Sequence, residues 1–262
     1  MKYAKMLDGR YALILGGDTA VGGAVARAFA AHGAHVAVAG AAASRKDADC
    51  RSQAPAPREV FAVLQSDIPD AIAYESPMDS SLMDELCASV LKDFPYVDIL
   101  VGATDFYKTG DTHAFPAHEL RHMLDANLCC AAKCFQRLLP GMLEHRRGEM
   151  ILFAPDLADA GLPRAAAAAA CAGAICAFAQ NVTNDYIRYR VRANVVMYPF
   201  VGAPGRSPLS GEPDPLDAAN AALWYACDMS RFVTGEKLSV NGGLEYIKSQ
   251  GGENRVSRPG AL

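Results

Sequence analysis

The sequence predicts an α/β fold: a single doubly wound domain with a parallel, seven-stranded sheet and helices on both faces. The first observation is a strand, a glycine-rich turn, a helix and a second strand between residues 11 and 39. In such a unit the two strands run parallel, because the helix crosses over one face of the sheet. The second observation is that apolar and amphipathic segments alternate along the remaining chain without a linker. We assign this domain to residues 1–247 and a polar tail to residues 248–262.

The individual elements follow from apolar periodicity and from the residues that stop helices. The predicted strands are 11–15, 35–39, 71–74, 97–101, 150–153, 191–197 and 237–240. The predicted helices are 24–33, 58–66, 80–94, 118–139, 165–189 and 218–227. Segment 60–64 competes with 71–74 for the third strand. We expect helix 118–139 to stop at Pro140 and Gly141, because proline lacks the helical N–H donor.

Composition and charge exclude several classes of function. A net charge of −4 and a pI near 5.9 argue against binding to nucleic acid or to a membrane surface, since both are polyanionic. We expect no apolar run to approach the ~20 residues that span a bilayer, and we interpret the N-terminal apolar run as a strand. The eight cysteines include no C-x-x-C pair, so we interpret them as small buried residues. We therefore expect a cytoplasmic protein.

Four stretches carry a resemblance to the short-chain dehydrogenase/reductase family over roughly residues 8–246. GGDTAVGGAVARAFAAHGAHVAV resembles the family's glycine-rich turn and first helix, and VDILVGATD lies where the family has a strand ending in Asn-Asn-Ala-Gly. DANLCC resembles the segment with the family's helix asparagine, here Asn127. ANAALWYACDMSRFVTGEKLSVNGG resembles its C-terminal signature. Four signatures in the family's order imply a Rossmann-like fold.

The resemblance also implies where a catalytic serine, tyrosine and lysine would stand, and this chain lacks all three. The serine position falls at Pro155, the tyrosine position at Ala168 and the lysine position at Ala172. A shift of one residue gives Ala154, Ala167 and Cys171, and residues 164–180 contain no Tyr, Lys, Ser or His. Alanine and proline side chains carry no proton that can be transferred. We expect no catalytic residue at these positions.

The family's dinucleotide site is altered in a similar way. The turn keeps Gly16, Gly17 and Gly22, but Ala20 replaces the middle glycine of the family's frame. A Cβ at that position crowds a phosphate, and the Asp18 carboxylate repels one. The other altered positions are Gly40 after the second strand, Gly102, Ala103, Thr104 and Asp105 after the fourth, and Pro199, Phe200 and Pro204 after the sixth. Ser44, Arg45 and Lys46 lie several residues too late to bind a 2′-phosphate. We expect this chain to bind no NAD(P).

Two further regions of the resemblance point the same way. Asn127 is retained, and we interpret its role as structural, because an asparagine in a helix can bond the backbone without any catalytic role. The segment 200–217 would replace the substrate lid of the family, and its four prolines favour turns over a helical lid.

The alanine-rich helix indicates what such a chain could do. In the family the equivalent helix packs against its mate in a neighbouring subunit, and small residues allow that close approach. Some family enzymes are heteromeric, with one degenerate subunit. The resemblance therefore implies a non-catalytic subunit in a hetero-oligomer, which we expect to be a tetramer, with NAD on a catalytically intact paralogue. Two alternatives are an active oxidoreductase with a relocated acid (Asp156, Asp159 or Tyr107) and a ligand-sensing pseudoenzyme.

The segment His118-Glu119-Leu120-Arg121-His122 matches the zinc-protease pattern H-E-x-x-H. A zinc site of this kind needs a third ligand. Glu144 and His145 follow the same predicted helix and would lie about 30 Å from His122, at ~1.5 Å per residue, unless the helix breaks. We therefore expect two exposed histidines and no metal site.

Overall fold

The computed structural model describes residues 5–40, 66–157, 162–199 and 214–243. Seven strands form one parallel sheet in the order β3-β2-β1-β4-β5-β6-β7. The strands are β1 Tyr11–Leu15, β2 His35–Gly40, β3 Ile72–Glu75, β4 Ile99–Gly102, β5 Gly148–Pro155, β6 Val191–Tyr198 and β7 Lys237–Ser239. The predicted fold class is confirmed. The predicted third strand, 71–74, differs by one residue at each end from the observed β3. Segment 60–64 itself lies outside the described residues.

Helices cover both faces of this sheet. They are α1 Ala20–Ala31, α2 Met83–Asp93, α3 Ala117–Leu124, α4 Cys130–His145, α5 Ala166–Tyr186 and α6 Pro215–Ala226. Helices α1 and α6 pack together on one face, while α2, α4 and α5 pack on the other. The predicted helix 58–66 falls almost entirely outside the described residues, as do segment 200–213 and the tail 248–262.

Alternation along the strands produces a core on each side of the sheet. On β1, Leu13 and Leu15 belong to the core beneath α2, α4 and α5, while Ala12 and Ile14 belong to the core beneath α1 and α6. Successive side chains of a strand point to opposite faces, so a strand covered on both sides is apolar throughout. The uninterrupted apolar strands in the sequence have this cause.

The helix that was expected to stop before Pro140 continues through it to His145. That prediction was wrong, because tertiary contacts hold the last turn after the proline removes one hydrogen bond. Met142 is fully buried against Gly148, and the His145 ring stacks on Tyr96 with centroids 3.9 Å apart. The helix ends where Arg146 adopts a left-handed conformation at φ 49°.

The segment Ala166–Tyr189 is long and apolar enough to span a membrane by length and composition. The expectation that no segment approaches that length was therefore wrong for this helix. Its Ala168, Cys171, Ala172 and Ile175 side chains are fully buried, and the helix packs on β5 and β6. These contacts explain its apolar composition as that of a helix covering the sheet.

A buried ionic cluster lies at the amino-terminal ends of β5 and β6. Glu149 and Arg192 are neighbours across the two strands, and the guanidinium donates to the Glu149 carboxylate at 2.8 and 2.6 Å. It also donates to the carbonyl oxygens of Ser230 and Tyr225 at 2.8 and 2.7 Å. Arg192 thus connects the sheet to the end of α6 and to the segment that follows it.

We expect Glu149→Gln to flatten the pH dependence of stability. Burial raises the pKa of Glu149 to about 8, although Arg192 and Arg10 oppose the shift. An unfolded glutamate titrates near ~4.3, so the folded state holds this proton more tightly. The stability that Glu149 contributes is complete below that value and is lost as the pH rises through about 8. Chemical unfolding at pH 5, 6.5 and 8 measures the free energy of unfolding of the wild type and the variant. If this free energy changes equally with pH in both proteins, the raised pKa of Glu149 is contradicted.

Candidate functional site

A cavity of about 250 Å³ opens at the carboxyl ends of β1, β4, β5 and β6. Doubly wound sheets bind their ligands at this edge, where the strand order reverses. Helix α1 begins here, as does helix α6 with Pro215. The cavity therefore occupies the place where the sequence predicts an altered dinucleotide site.

The turn between β1 and α1 requires its glycines for its own packing. Gly16 has φ +78°, and a Cβ there would lie 2.6 Å from the Ala103 carbonyl oxygen. A Cβ on Gly22 would lie 2.1 Å from the Gly16 carbonyl oxygen, and one on Gly17 would lie 2.7 Å from Val38 Cβ. These contacts are all within the protein, so the three glycines are needed whether or not a ligand binds.

Thr19 holds this turn closed. Its hydroxyl lies 2.8 Å from the Gly16 carbonyl oxygen and 3.0 Å from that of Ala103, and it accepts the Gly22 N–H at 2.9 Å. It is therefore the N-cap of α1 and joins β1 to β4. The sequence reasoning did not single out Thr19, although a threonine just before a helix that follows a glycine turn is an N-cap signal.

The residues around the turn do not fit a dinucleotide. Ala20 is exposed at the cavity, so its methyl group lies where the family frame has a glycine. Gly40, which ends β2, offers no side chain for a ribose hydroxyl. Asp105 adds a carboxylate to the cavity wall, where the pyrophosphate of NAD would meet repulsion.

The three positions implied for catalysis carry no proton donor or acceptor. Pro155 is the last residue of β5 and lines the cavity, whereas Ala168 and Ala172 are fully buried in α5. Their neighbour Cys171 is also buried, and burial raises the pKa of its thiol to about 12. This thiol stays protonated at neutral pH and is a poor nucleophile.

Tyr107 is the side chain that connects the cavity to the buried face of α5. It lines the cavity, is 8% exposed, and lies within electrostatic reach of Cys171 and Cys176. Burial first, and then the nearby thiols and Asp105, raise the pKa of Tyr107 well above its usual value. A tyrosine that acts as acid and base needs the opposite shift. This environment disfavours Tyr107 as a relocated catalytic group.

Of the other two candidates for a relocated acid, Asp156 lies among the described residues and Asp159 lies outside them. Asp156 follows β5 and accepts a hydrogen bond from the Asn241 amide. This bond joins the end of β5 to the segment after β7.

Asn127 lies in a π-helical turn, Asp125–Cys129, between α3 and α4. Its amide donates to the carbonyl oxygens of Phe106 and Met123 at 2.6 and 2.9 Å, and its oxygen accepts the Phe106 N–H at 3.1 Å. Asn127 thereby fixes the segment after β4, which includes Tyr107. These contacts are those of a structural asparagine.

The H-E-x-x-H segment has a different arrangement from a zinc site. Glu119 pairs with Lys108 at 2.8 Å, and the His122 ring packs on Phe106 with centroids 4.4 Å apart. Both histidines are exposed. Within the described part of the chain, no three His, Cys, Asp or Glu side chains form a group that could hold a metal ion.

Known proteins resemble the chain over most of its length. It is 25% identical over 260 residues to 3alpha-hydroxysteroid dehydrogenase of Mediterraneibacter gnavus, covering 90% of this chain and 97% of that protein. It is 27% identical over 252 residues to the (2S)-[(R)-hydroxy(phenyl)methyl]succinyl-CoA dehydrogenase subunit BbsC of Thauera aromatica, covering 90% and 94%.

Structural comparison agrees on the fold. Carveol dehydrogenase from Mycobacterium avium, solved in complex with NAD, superposes with a TM-score of 0.78 at 18% identity, covering 90% of this chain and 98% of that one. The family model described as short chain dehydrogenase matches residues 10–212. The chain is therefore a member of the short-chain dehydrogenase family.

Proposed function

We propose that this chain is a non-catalytic subunit of a hetero-oligomeric, NAD-dependent short-chain dehydrogenase. The observation that carries the proposal is that the family's catalytic positions are occupied by Pro155, Ala168 and Ala172, while the fold around them is kept. In this proposal NAD binds to a catalytically intact paralogue, and the two chains assemble as a cytoplasmic tetramer. This chain stabilises the partner's active conformation.

The outer face of α5 supports this proposal. Ala166, Ala170 and Ala177 are exposed on it, and residues 165–184 contain no charged side chain. An added Cβ at Gly173 meets nothing within 4 Å. Small uncharged residues permit close contact between two helices, which is how this helix is used in the family.

The edge of the sheet supports it as well. Strand β7 is the last strand in the sheet order, and all three of its residues are exposed. Phe232, just before it, is 100% exposed, and Met229 is 62% exposed. Large apolar side chains beside an open sheet edge are typical of a surface that another chain covers.

The specific form of the proposal is a subunit of a dehydrogenase that acts on 2-[hydroxy(phenyl)methyl]succinyl-CoA in anaerobic toluene degradation. Its support is the resemblance to BbsC, whose name describes a subunit of such an enzyme. An assay of the isolated chain with NAD(H) and NADP(H) tests the general proposal. We expect no hydride transfer; measurable turnover would instead favour the active oxidoreductase with a relocated acid.

We expect Ala170→Glu to separate this chain from its partner. The substitution puts an unpaired charge on the proposed contact face, which costs about 2–3 kcal/mol and raises the Kd about 30- to 150-fold. Ala88→Glu is the matched control, because Ala88 is also an exposed alanine in a helix, α2, on another surface. Size-exclusion chromatography of the complex from its own host measures the effect. Retention of the complex by both variants would exclude this face.

A further inference from the structure

The cavity beside Tyr107 has the walls of a ligand site even without the catalytic groups. Three aromatic rings line it, those of Tyr107, Phe153 and Tyr198, together with Pro155 and Pro199. Its volume of about 250 Å³ is just below the usual range for small-molecule sites, so it suits a ligand with a single ring. Flat rings on several sides favour an aromatic or a cationic group.

The described residues around this cavity carry negative charge. Asp105 is the single charged residue among those that line it in the described part of the chain. Burial first, and then Asp214, Asp217 and Asp105, raise the pKa of Tyr198 to about 12. Three carboxylates therefore act on the same ring from around the cavity, and a neutral phenol presents its electron-rich face to a cation.

Several N–H groups at the helix N-termini beside the cavity already have partners within the protein. At α6, Pro215 has no N–H, the Leu216 N–H bonds the Asp214 carboxylate at 2.9 Å, and the Asp217 N–H bonds the Asp214 carbonyl oxygen at 2.9 Å. At α1, the Gly22 N–H bonds the Thr19 hydroxyl at 2.9 Å. The Gly22, Leu216 and Asp217 N–H groups are thus already bonded within the protein.

We propose that this cavity binds a small organic cation: a quaternary or protonated amine attached to a single aromatic ring. The ammonium group lies near Asp105, and the ring packs against Tyr107, Phe153 and Tyr198. A carboxylate accepts several hydrogen bonds or ion contacts at once, so the existing contacts of Asp105 do not prevent this. The proposal concerns the isolated chain and does not depend on the subunit hypothesis.

Isothermal titration calorimetry of the full chain with three probes of similar size tests the proposal. The probes are benzyltrimethylammonium, benzyl alcohol and benzoate, which differ in charge. We expect the cation to bind at least ~10-fold more tightly than the other two, from its ion contact and cation–π attraction. Asp105→Asn should reduce this preference to about threefold or less, and Asp70→Asn, which alters another exposed carboxylate, should leave it unchanged.

Three results would overturn the proposal. The first is benzoate binding as tightly as the cation, which would show an anion site. The second is no heat of binding for the cation up to about 10 mM. The third is an unchanged preference in Asp105→Asn, with thermal melting used to verify that the variant is folded. Each of these leaves the subunit hypothesis standing, since that hypothesis is tested on the complex.

Discussion

Replacing Arg192 with alanine is expected to lower the free energy of unfolding by about 3–5 kcal/mol, because each buried acceptor that loses its donor costs about 1–3 kcal/mol. Arg192 is 6% exposed and bonds Glu149 together with backbone carbonyl groups of Tyr225 and Ser230. Without the guanidinium those buried carbonyl groups lose a donor, and Glu149 keeps its proton to higher pH. Urea unfolding followed by circular dichroism measures the loss.

Arg188→Ala is the control for this prediction. Arg188 is an exposed arginine near the same end of the sheet, and its replacement should change stability by less than about 0.5 kcal/mol. A loss below about 1 kcal/mol in Arg192→Ala would mean that water replaces the guanidinium at little cost. That outcome would contradict the role we give to the buried cluster.

Gly22→Ala is expected to destabilise the chain by about 3 kcal/mol, at the upper end of the range for overpacking. The new Cβ would lie 2.1 Å from the Gly16 carbonyl oxygen, a backbone atom held by the Thr19 bonds. Alanine normally stabilises a helix relative to glycine by about 0.5–1 kcal/mol. A loss of stability in Gly22→Ala would therefore show that the clash outweighs the higher helix propensity of alanine. Thermal and urea unfolding report it.

The matched control is Gly173→Ala in α5. An added Cβ there meets nothing within 4 Å, so we expect the isolated chain to gain about 0.5–1 kcal/mol. Stabilisation by Gly22→Ala as well would show that the turn can open without cost. The packing of the turn would then not require glycine at position 22.

Much of the fold could be predicted because its signals are local. Buried parallel strands are apolar on both faces, and the strand β1, for example, was predicted with its observed bounds. The long helix was misjudged at Pro140, because the burial of Met142 and the stacking of His145 on Tyr96 are tertiary contacts. Helix ends that depend on such contacts are not encoded in the local pattern.

The position of the site could be predicted from the sequence, but most of its side-chain contacts could not. The motif order places the cavity at the β1 turn and at β4, as observed, because those strands end at the same edge. The bonds of Thr19 to Gly16 and Ala103 depend on the pairing of distant segments. A signal for the Glu149–Arg192 pair was present, since each is a lone charge in an otherwise apolar strand. Their cross-strand register required the structure.

The subunit composition can be measured by native mass spectrometry of the tagged protein isolated from its own host. We expect a stoichiometric complex with a second chain of similar size that carries the serine, tyrosine and lysine missing here. A homo-oligomer of this chain alone would show that it is not the non-catalytic subunit of such a complex.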